Sequence, residues 1–389
     1  MSEDWKAVAE ELAAELRADA VERERGGAEP ASEVDRLRKS GLLRLLVPSE
    51  RGGGGAGWSA VNEATRIVAA ADASVGHLLG YHYLQLWRTG LFARPDEVER
   101  LQRATTTENW FWAGVSNPLD AALRLTAVPG GLRVDGTKTF ATGTSVADRL
   151  VVSGVRTDTD AKVTFTIDAR AAGISHPGGW DNLGQRLTAS GAIAFDGAFV
   201  PDAEILGNSD DDTAGAVLRS LASLGFQLML AQVAVGIAEG ALAEAADYTR
   251  TRGRGWAPAG ISAAVEDPYA LAGYGEWVAR TKAARALADE AAAALWSAFE
   301  AGEELGAEQR GEAAVTIASA KVVSSRLATE IASGVFEFTG ARSTSNSVGL
   351  DRFWRNARTL TLHDPMSHKA SEVGEHFLTG AHPIPSGYS

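Results

Sequence analysis

VSGVRTDTDAKVTFTID, residues 152–168, sets β-branched residues among small and polar ones around a Thr/Asp cluster. That is the pattern of two short strands joined by a turn. GAIAF, at 191–195, is a third run of the same kind. Gly, Asp and Thr clusters break the whole of 111–215 into such pieces, which predicts an antiparallel barrel or sandwich. Upstream the periodicity changes. Val8, Leu12 and Leu16 recur at helical spacing, Val34, Leu37 and Leu42 follow in a second segment, and Ser59 to Leu91 is a third long apolar helical stretch. Downstream the chain turns alanine-rich. Four helical segments, about 216–251, 266–301, 308–335 and 348–378, predict an antiparallel four-helix bundle. The fold class is α+β in three parts: an N-terminal helical domain (1–110), a central β domain (111–215) and a C-terminal four-helix bundle with an extended tail (216–389).

Composition narrows the function. The chain has 389 residues, enough for two or three domains. Its 37 Lys and Arg against 50 Asp and Glu give a net charge of −13, which argues against a nucleic-acid partner. It holds no cysteine, so disulfides, thiolate metal sites, Cys nucleophiles and iron–sulfur clusters are excluded. No uninterrupted run approaches about 18 apolar residues, so no membrane span is expected, and the acidic, helical start does not read as a secretory signal. A cytoplasmic enzyme is the expectation. Gly52, Gly54 and Gly57 fit a dinucleotide fingerprint, but that motif needs a strand directly before it and a parallel strand after its helix. Pro48 to Arg51 intervene here, so the glycines read as a loop.

Longer strings carry a resemblance. GLLRLLVPSERGGGG (41–55), DGTKTFATGTSVADRLVV (135–152) and NLGQRLTASGAIAFDGAFVPDAEILG (182–207) resemble three signatures of the acyl-CoA dehydrogenase fold. YTRTRGRGW (248–256) and FEFTGARST (336–344) resemble its flavin-contacting segments. One departure matters. Where the dehydrogenases carry a catalytic glutamate, this chain reads DRFWRNARTLTLHDPMSHK (351–369), with His363 and Asp364 at that point. That stretch, with NWFWAGVSNPLD (109–120), GYHYL (80–84) and GWDNLGQR (179–186), resembles the flavin-dependent monooxygenases of the fold, the dibenzothiophene monooxygenase group in particular.

The resemblance implies the oxygenase component of a two-component system. It would take reduced FMN, or alternatively reduced FAD, from a separate flavin reductase. O2 would be bound as a flavin C4a-hydroperoxide, and an aromatic, indole-type or sulfur-heterocyclic substrate oxygenated. A homo-oligomer, dimer or tetramer, is implied too. An acyl-CoA dehydrogenase with a relocated base, an amine N-oxygenase and a catalytically inert scaffold are the alternatives.

The implied catalytic residues are His363, His82, Thr142 and Asn117. Asp364-Pro365 reads as a helix N-cap and first turn, so His363 precedes a positive helix end that disfavours its protonation. Asp364 is expected to cap rather than to orient its neighbour, since adjacent side chains on a helix point apart. A packed hinge histidine is the other reading of His363. His82 sits in an apolar helix and could equally be core. His77 is given no role. Asn117 would meet the flavin edge or form an Asx turn before Pro118. Thr142 stands where the relatives have serine, or is an edge-strand residue. Phe111 and Trp112, with His82, would wall the substrate pocket. Trp180 and Asn182 lie where the β domain stacks on the flavin ring. Arg254, and less well Arg252, match phosphate-binding arginines. Gly340 and Arg342 would reach a flavin held mainly by another subunit. His176, His368, His376 and His382 show no metal-ligand spacing, and no metal site is expected. The tail HPIPSGYS (382–389) is expected to run extended over a surface, its own chain's or a neighbouring subunit's.

Overall fold

The computed structural model describes residues 4–206 and 215–389. Five helices come first: α1 (Trp5–Gly26), α2 (Ala31–Ser40), α3 (Trp58–Ala71), α4 (Ala73–Phe92) and α5 (Pro95–Glu108). Seven strands follow: β1 (Trp112–Val115), β2 (Leu123–Val128), β3 (Gly131–Lys138), β4 (Arg149–Arg156), β5 (Lys162–Asp168), β6 (Ile174–Gly178) and β7 (Ala192–Pro201). A short α6 (Ala216–Arg219) leads into α7 (Leu221–Arg252), α8 (Pro268–Glu300), α9 (Ala307–Thr339), α10 (Asp351–Leu360) and α11 (Met366–Thr379). The three-part order stands. Most of the last residues assigned to the β region, 207–214, lie outside the described residues.

Four local expectations need correction. The stretch from Ser59 to Leu91 is two helices, because Asp72 adopts an extended backbone and its carboxylate accepts from the Ser74 and Val75 amides, capping α4. The sheet is mixed, not antiparallel. β4 pairs antiparallel with β5 on one edge and parallel with β1 and β2 on the other. Parallel neighbours need a crossover, and here both parallel pairs are closed by chain that first passes through β3. The order then runs β2-β3-β7-β6, all antiparallel. The fourth bundle segment is α10 and α11, broken at 361–365, where Pro365 cannot donate a helical hydrogen bond. The tail does not leave the molecule. Ser389 is buried, its carbonyl accepts from Ser223 Oγ at 3.0 Å, and Lys369 Nζ donates to Tyr388 O and Ser389 Oγ.

The glycine-rich stretch is a loop, as read. It follows a single turn at Ser49–Arg51 and runs directly into α3, and a Cβ on Gly53 would stand 2.1 Å from the Val47 carbonyl oxygen. One apolar core runs from α1–α4 through the sheet into α7–α10. Among the described helices, the run 216–252 is long and apolar enough to cross a membrane, and 89% of its most apolar window is buried inside the fold. α3 lies so close to α7 that a Cβ on Gly240 would meet the Ala70 carbonyl oxygen at 2.1 Å. α4 packs on α7 and on β1 and β4 of the sheet.

Candidate active site

The break between α10 and α11 creates the first half of the site. Residues 361–365 are not helical, so the side chains of His363 and Asp364 need not diverge. His363 Nδ1 lies 3.0 Å from Asp364 Oδ1. Asp364 caps nothing; Pro365 is the residue before α11 and no side chain caps that helix. Asp364 instead forms a buried ion pair with Lys321 of α9, and Lys321 also donates to Gln227 of α7. Lys321 is 1% exposed. Burial alone would raise the Asp364 carboxyl, but its hydrogen bond from His363 and the Lys321 charge outweigh that and hold it below the usual carboxylate range. Burial pulls Lys321 down to about 8 despite the carboxylate beside it. Burial likewise lowers His363, so the ring is neutral at pH 7. The hydrogen on Nδ1 goes to Asp364, and Nε2 keeps a free lone pair.

The second half comes from α4. His77 Nδ1 donates to Gln185 Oε1 at 3.0 Å. Its Nε2 is buried and has no partner among the described residues. Burial pulls the ring down to about 4, with a smaller push from His363. Tyr81, one turn on, meets His77 edge-on at 4.3 Å between ring centroids and packs against Phe226 of α7. Burial raises the Tyr81 phenol, and the Asp364 charge adds to it. Tyr81 packs on Phe226 and Lys321 donates to Gln227, adjacent residues of α7, so the two halves approach each other there.

Gln185 ties the β domain to this pair. It sits in the left-handed region (φ 55°). Its amide donates to Asn356 Oδ1 of α10 at 2.5 Å, and its carbonyl accepts from Trp180 Nε1 and Thr188 Oγ1, each at 2.8 Å. Thr188 Oγ1 contacts Ser190 Oγ at 2.7 Å, and Ser190 contacts Thr142 Oγ1 at 2.8 Å. A chain of hydroxyls therefore connects Thr142 to the residue that aims His77. Gly184 is essential to the approach, since a Cβ there would stand 2.0 Å from the Arg355 carbonyl oxygen.

Comparison with known proteins decides the family. Residues 228–368 match the acyl-CoA dehydrogenase C-terminal domain family. The chain is 42% identical to a dibenzothiophene monooxygenase of Rhodococcus erythropolis, over 98% of this chain and 95% of that protein. The chain belongs to the dibenzothiophene monooxygenase family. It is also 39% identical to a probable FMNH2-dependent monooxygenase of Pseudomonas putida, over 98% and 97% of the two chains. The crystal structure of the Paenibacillus sp. A11-2 enzyme TdsC with FMN and indole superposes with a TM-score of 0.93 at 41% identity, covering 98% of this chain and 99% of that one.

Within this dibenzothiophene monooxygenase-family chain, several residues singled out from sequence have their polar atoms taken by the protein itself. Trp112 donates its amide to His82 Nδ1 at 3.1 Å, so His82 Nε2–H must donate to the Leu43 carbonyl, 2.8 Å away. Both ring nitrogens are satisfied by backbone, and Phe111 stacks on the ring at 5.6 Å. Trp112 donates to Thr105 Oγ1 and packs in a separate core cluster with Val47, Leu86 and Leu101. All three side chains are buried among the protein's own residues. Asn117 makes the Asx turn: its Oδ1 accepts from the Leu119 amide at 3.1 Å and its Nδ2 donates to Thr139. The tail crosses this turn. A Cβ on Gly387 would meet Pro118 at 2.7 Å, and Tyr388 stands edge-on to His363 at 5.8 Å.

The phosphate-binding candidates lie at the far end of the bundle. Arg252, Arg254, Gly340 and Arg342 are exposed, and a Cβ on Gly340 would meet nothing. Gly340 is roughly 28 Å along α9 from Lys321 at about 1.5 Å per residue, and Arg252 is farther still from Gln227 along α7.

Proposed function

We propose that this chain is the oxygenase component of a two-component, reduced-FMN-dependent monooxygenase, acting on an aromatic or sulfur-containing substrate, with FMNH2 delivered by a separate reductase. The observation that carries the reading is the buried, unpartnered Nε2 of His77 on α4, together with His363 held by Asp364 in the α10–α11 break. A buried polar atom without a partner costs about 1–3 kcal/mol. His77 Nε2 is such an atom, and a hydrogen-bonding group on a bound molecule removes the penalty. Reduced FMN, when bound, supplies the electrons that activate O2.

The protein's own residues then manage protons and exclude water. His363 Nε2 takes the proton that the hydroxylated product releases, and the ring is held in the right tautomer by Asp364. Lys321 keeps Asp364 charged and fixed. His77 Nε2 accepts a hydrogen bond from an N–H of the bound flavin. Thr142, at the end of the hydroxyl chain, offers a donor that Ser190 orients. Tyr81, Phe226 and Trp180 keep the space dry, which favours oxygen transfer over loss of H2O2. Asp364 is a poor substitute for a dehydrogenase base, because its ion pair makes it a weak one.

The distance between the two ends of the bundle supports a homo-oligomer in which Arg254, Gly340 and Arg342 hold the phosphate side of a neighbour's FMN. The test is incubation with chemically reduced FMN, 18O2 and indole or dibenzothiophene. One 18O atom in the product is the expected result. Desaturation of an acyl thioester without oxygen uptake would overturn the reading.

A further inference from the structure

His376 lies in the last turn of α11, which ends at Gly380 in the left-handed region (φ 75°). That cap reverses the chain and brings His382 back against α9. The return is tight: a Cβ on Gly311 would stand 2.3 Å from His382 Cγ, so only glycine admits the ring. The two imidazoles stack at 4.8 Å with 22° between their planes. Glu312, the next residue on α9, places Oε1 2.8 Å from His382 Nε2 and 3.8 Å from His376 Nε2. One atom from each of the three residues falls within 4.8 Å of the others. His376 Nδ1 is buried and has no partner among the described residues.

A single hydrogen bond would use one imidazole. Here two aim at the same carboxylate oxygen. Ligands about 2.0–2.2 Å from a tetrahedral ion stand about 3.4 Å apart, and the two measured separations bracket that spacing. Two imidazoles and a carboxylate, half open to solvent, are the donor set of a Zn2+-class ion with water in the remaining position.

We propose that Glu312, His376 and His382 form a binding site for a divalent transition-metal ion that staples the C-terminal tail to α9. Those ligands come from two helices and the tail, so the ion adds a tie between α9, α11 and the tail. The tail it fixes carries Tyr388 onto His363, so the staple steadies the cover of the active site. That consequence rests on the function proposed above; the metal site does not.

The experiment uses the chelator-treated full-length protein and Zn2+ alone, with competition against a chromophoric chelator and a thermal melt in parallel. Wild type binds one Zn2+ per chain and melts higher with it. His376→Ala and His382→Ala, each checked for native circular dichroism, bind at least about tenfold more weakly and lose the shift. Gly311→Ala weakens binding by displacing the His382 ring, while His368→Ala binds like wild type. Binding that survives in the His376→Ala/His382→Ala double variant, or a wild type with no stoichiometric site, overturns the proposal. Neither readout involves turnover, so the proposed oxygenase function can fail without touching this result.

Discussion

α4 carries two buried histidines five positions apart, and they do opposite things. Burial pulls both His77 and His82 down to about 4. Titration therefore does not separate them. Hydrogen bonding does. His82 spends both nitrogens on the Leu43 carbonyl and the Trp112 amide, and so pins α4 to the first turn after α2 and to β1. His77 spends one on Gln185 and leaves the other buried and bare. A satisfied buried imidazole is a structural tie, whereas an unsatisfied one is a group waiting for a ligand.

The contrast can be broken first at His363. His363→Ala removes the proton carrier from the site half, and product formed per reduced FMN should fall about 10²–10⁴-fold, with H2O2 appearing instead. Full coupled turnover in that variant would return His363 to the hinge reading. Lys321→Met should come next. It leaves Asp364 buried without its cation, so urea denaturation should show a loss of about 3–5 kcal/mol, with coupling also reduced. A variant as stable as wild type would mean the ion pair is not what fixes His363.

Acid sharpens the comparison on the stability side. Between pH 6.5 and about 4 the unfolded chain takes up protons that the folded His77 and His82 refuse. Stability is therefore full above pH 6.5 and is lost as the pH falls toward 4, by up to about 3 kcal/mol for each ring. His82→Gln should flatten that slope while costing about 1–3 kcal/mol at pH 7, because the Leu43 and Trp112 backbone groups lose their partner. A pH profile unchanged by the substitution would contradict the assignment. The smallest effect is at Thr142. Thr142→Ser keeps the hydroxyl 2.8 Å from Ser190 and should leave coupling within a few-fold, while Thr142→Val should cost about 1 kcal/mol and lower it.

Much of this was legible in the residues. Helical spacing and the short β runs gave the three-part order, and the missing glutamate pointed to His363. The reading gave His77 no role and left His82 between site and core, although the residues around the two carry a signal. His82 has Leu78, Leu79 and Leu86 at its three- and four-residue neighbours, an apolar stripe that belongs to the core. His77 has Gly80 and Tyr81 there, a face with room and a hydroxyl. Lys321, alone in the apolar run ASAKVV, was a second unread signal, because a lysine is buried only when paired. The His363–Asp364 contact was hidden for another reason. The rule that adjacent side chains diverge holds on a helix, and these two lie in a break that only the packing of α10 and α11 creates.

The central claim is that α4 serves the chemistry through His77 and the scaffold through His82. Oxygenated product per reduced FMN, measured side by side in folded His77→Gln and His82→Gln at pH 7 with chemically supplied FMNH2 and O2, tests it directly. The account predicts at least a tenfold loss of coupling in His77→Gln and wild-type coupling per folded molecule in His82→Gln. Equal coupling in the two variants, or a loss confined to His82→Gln, would contradict it.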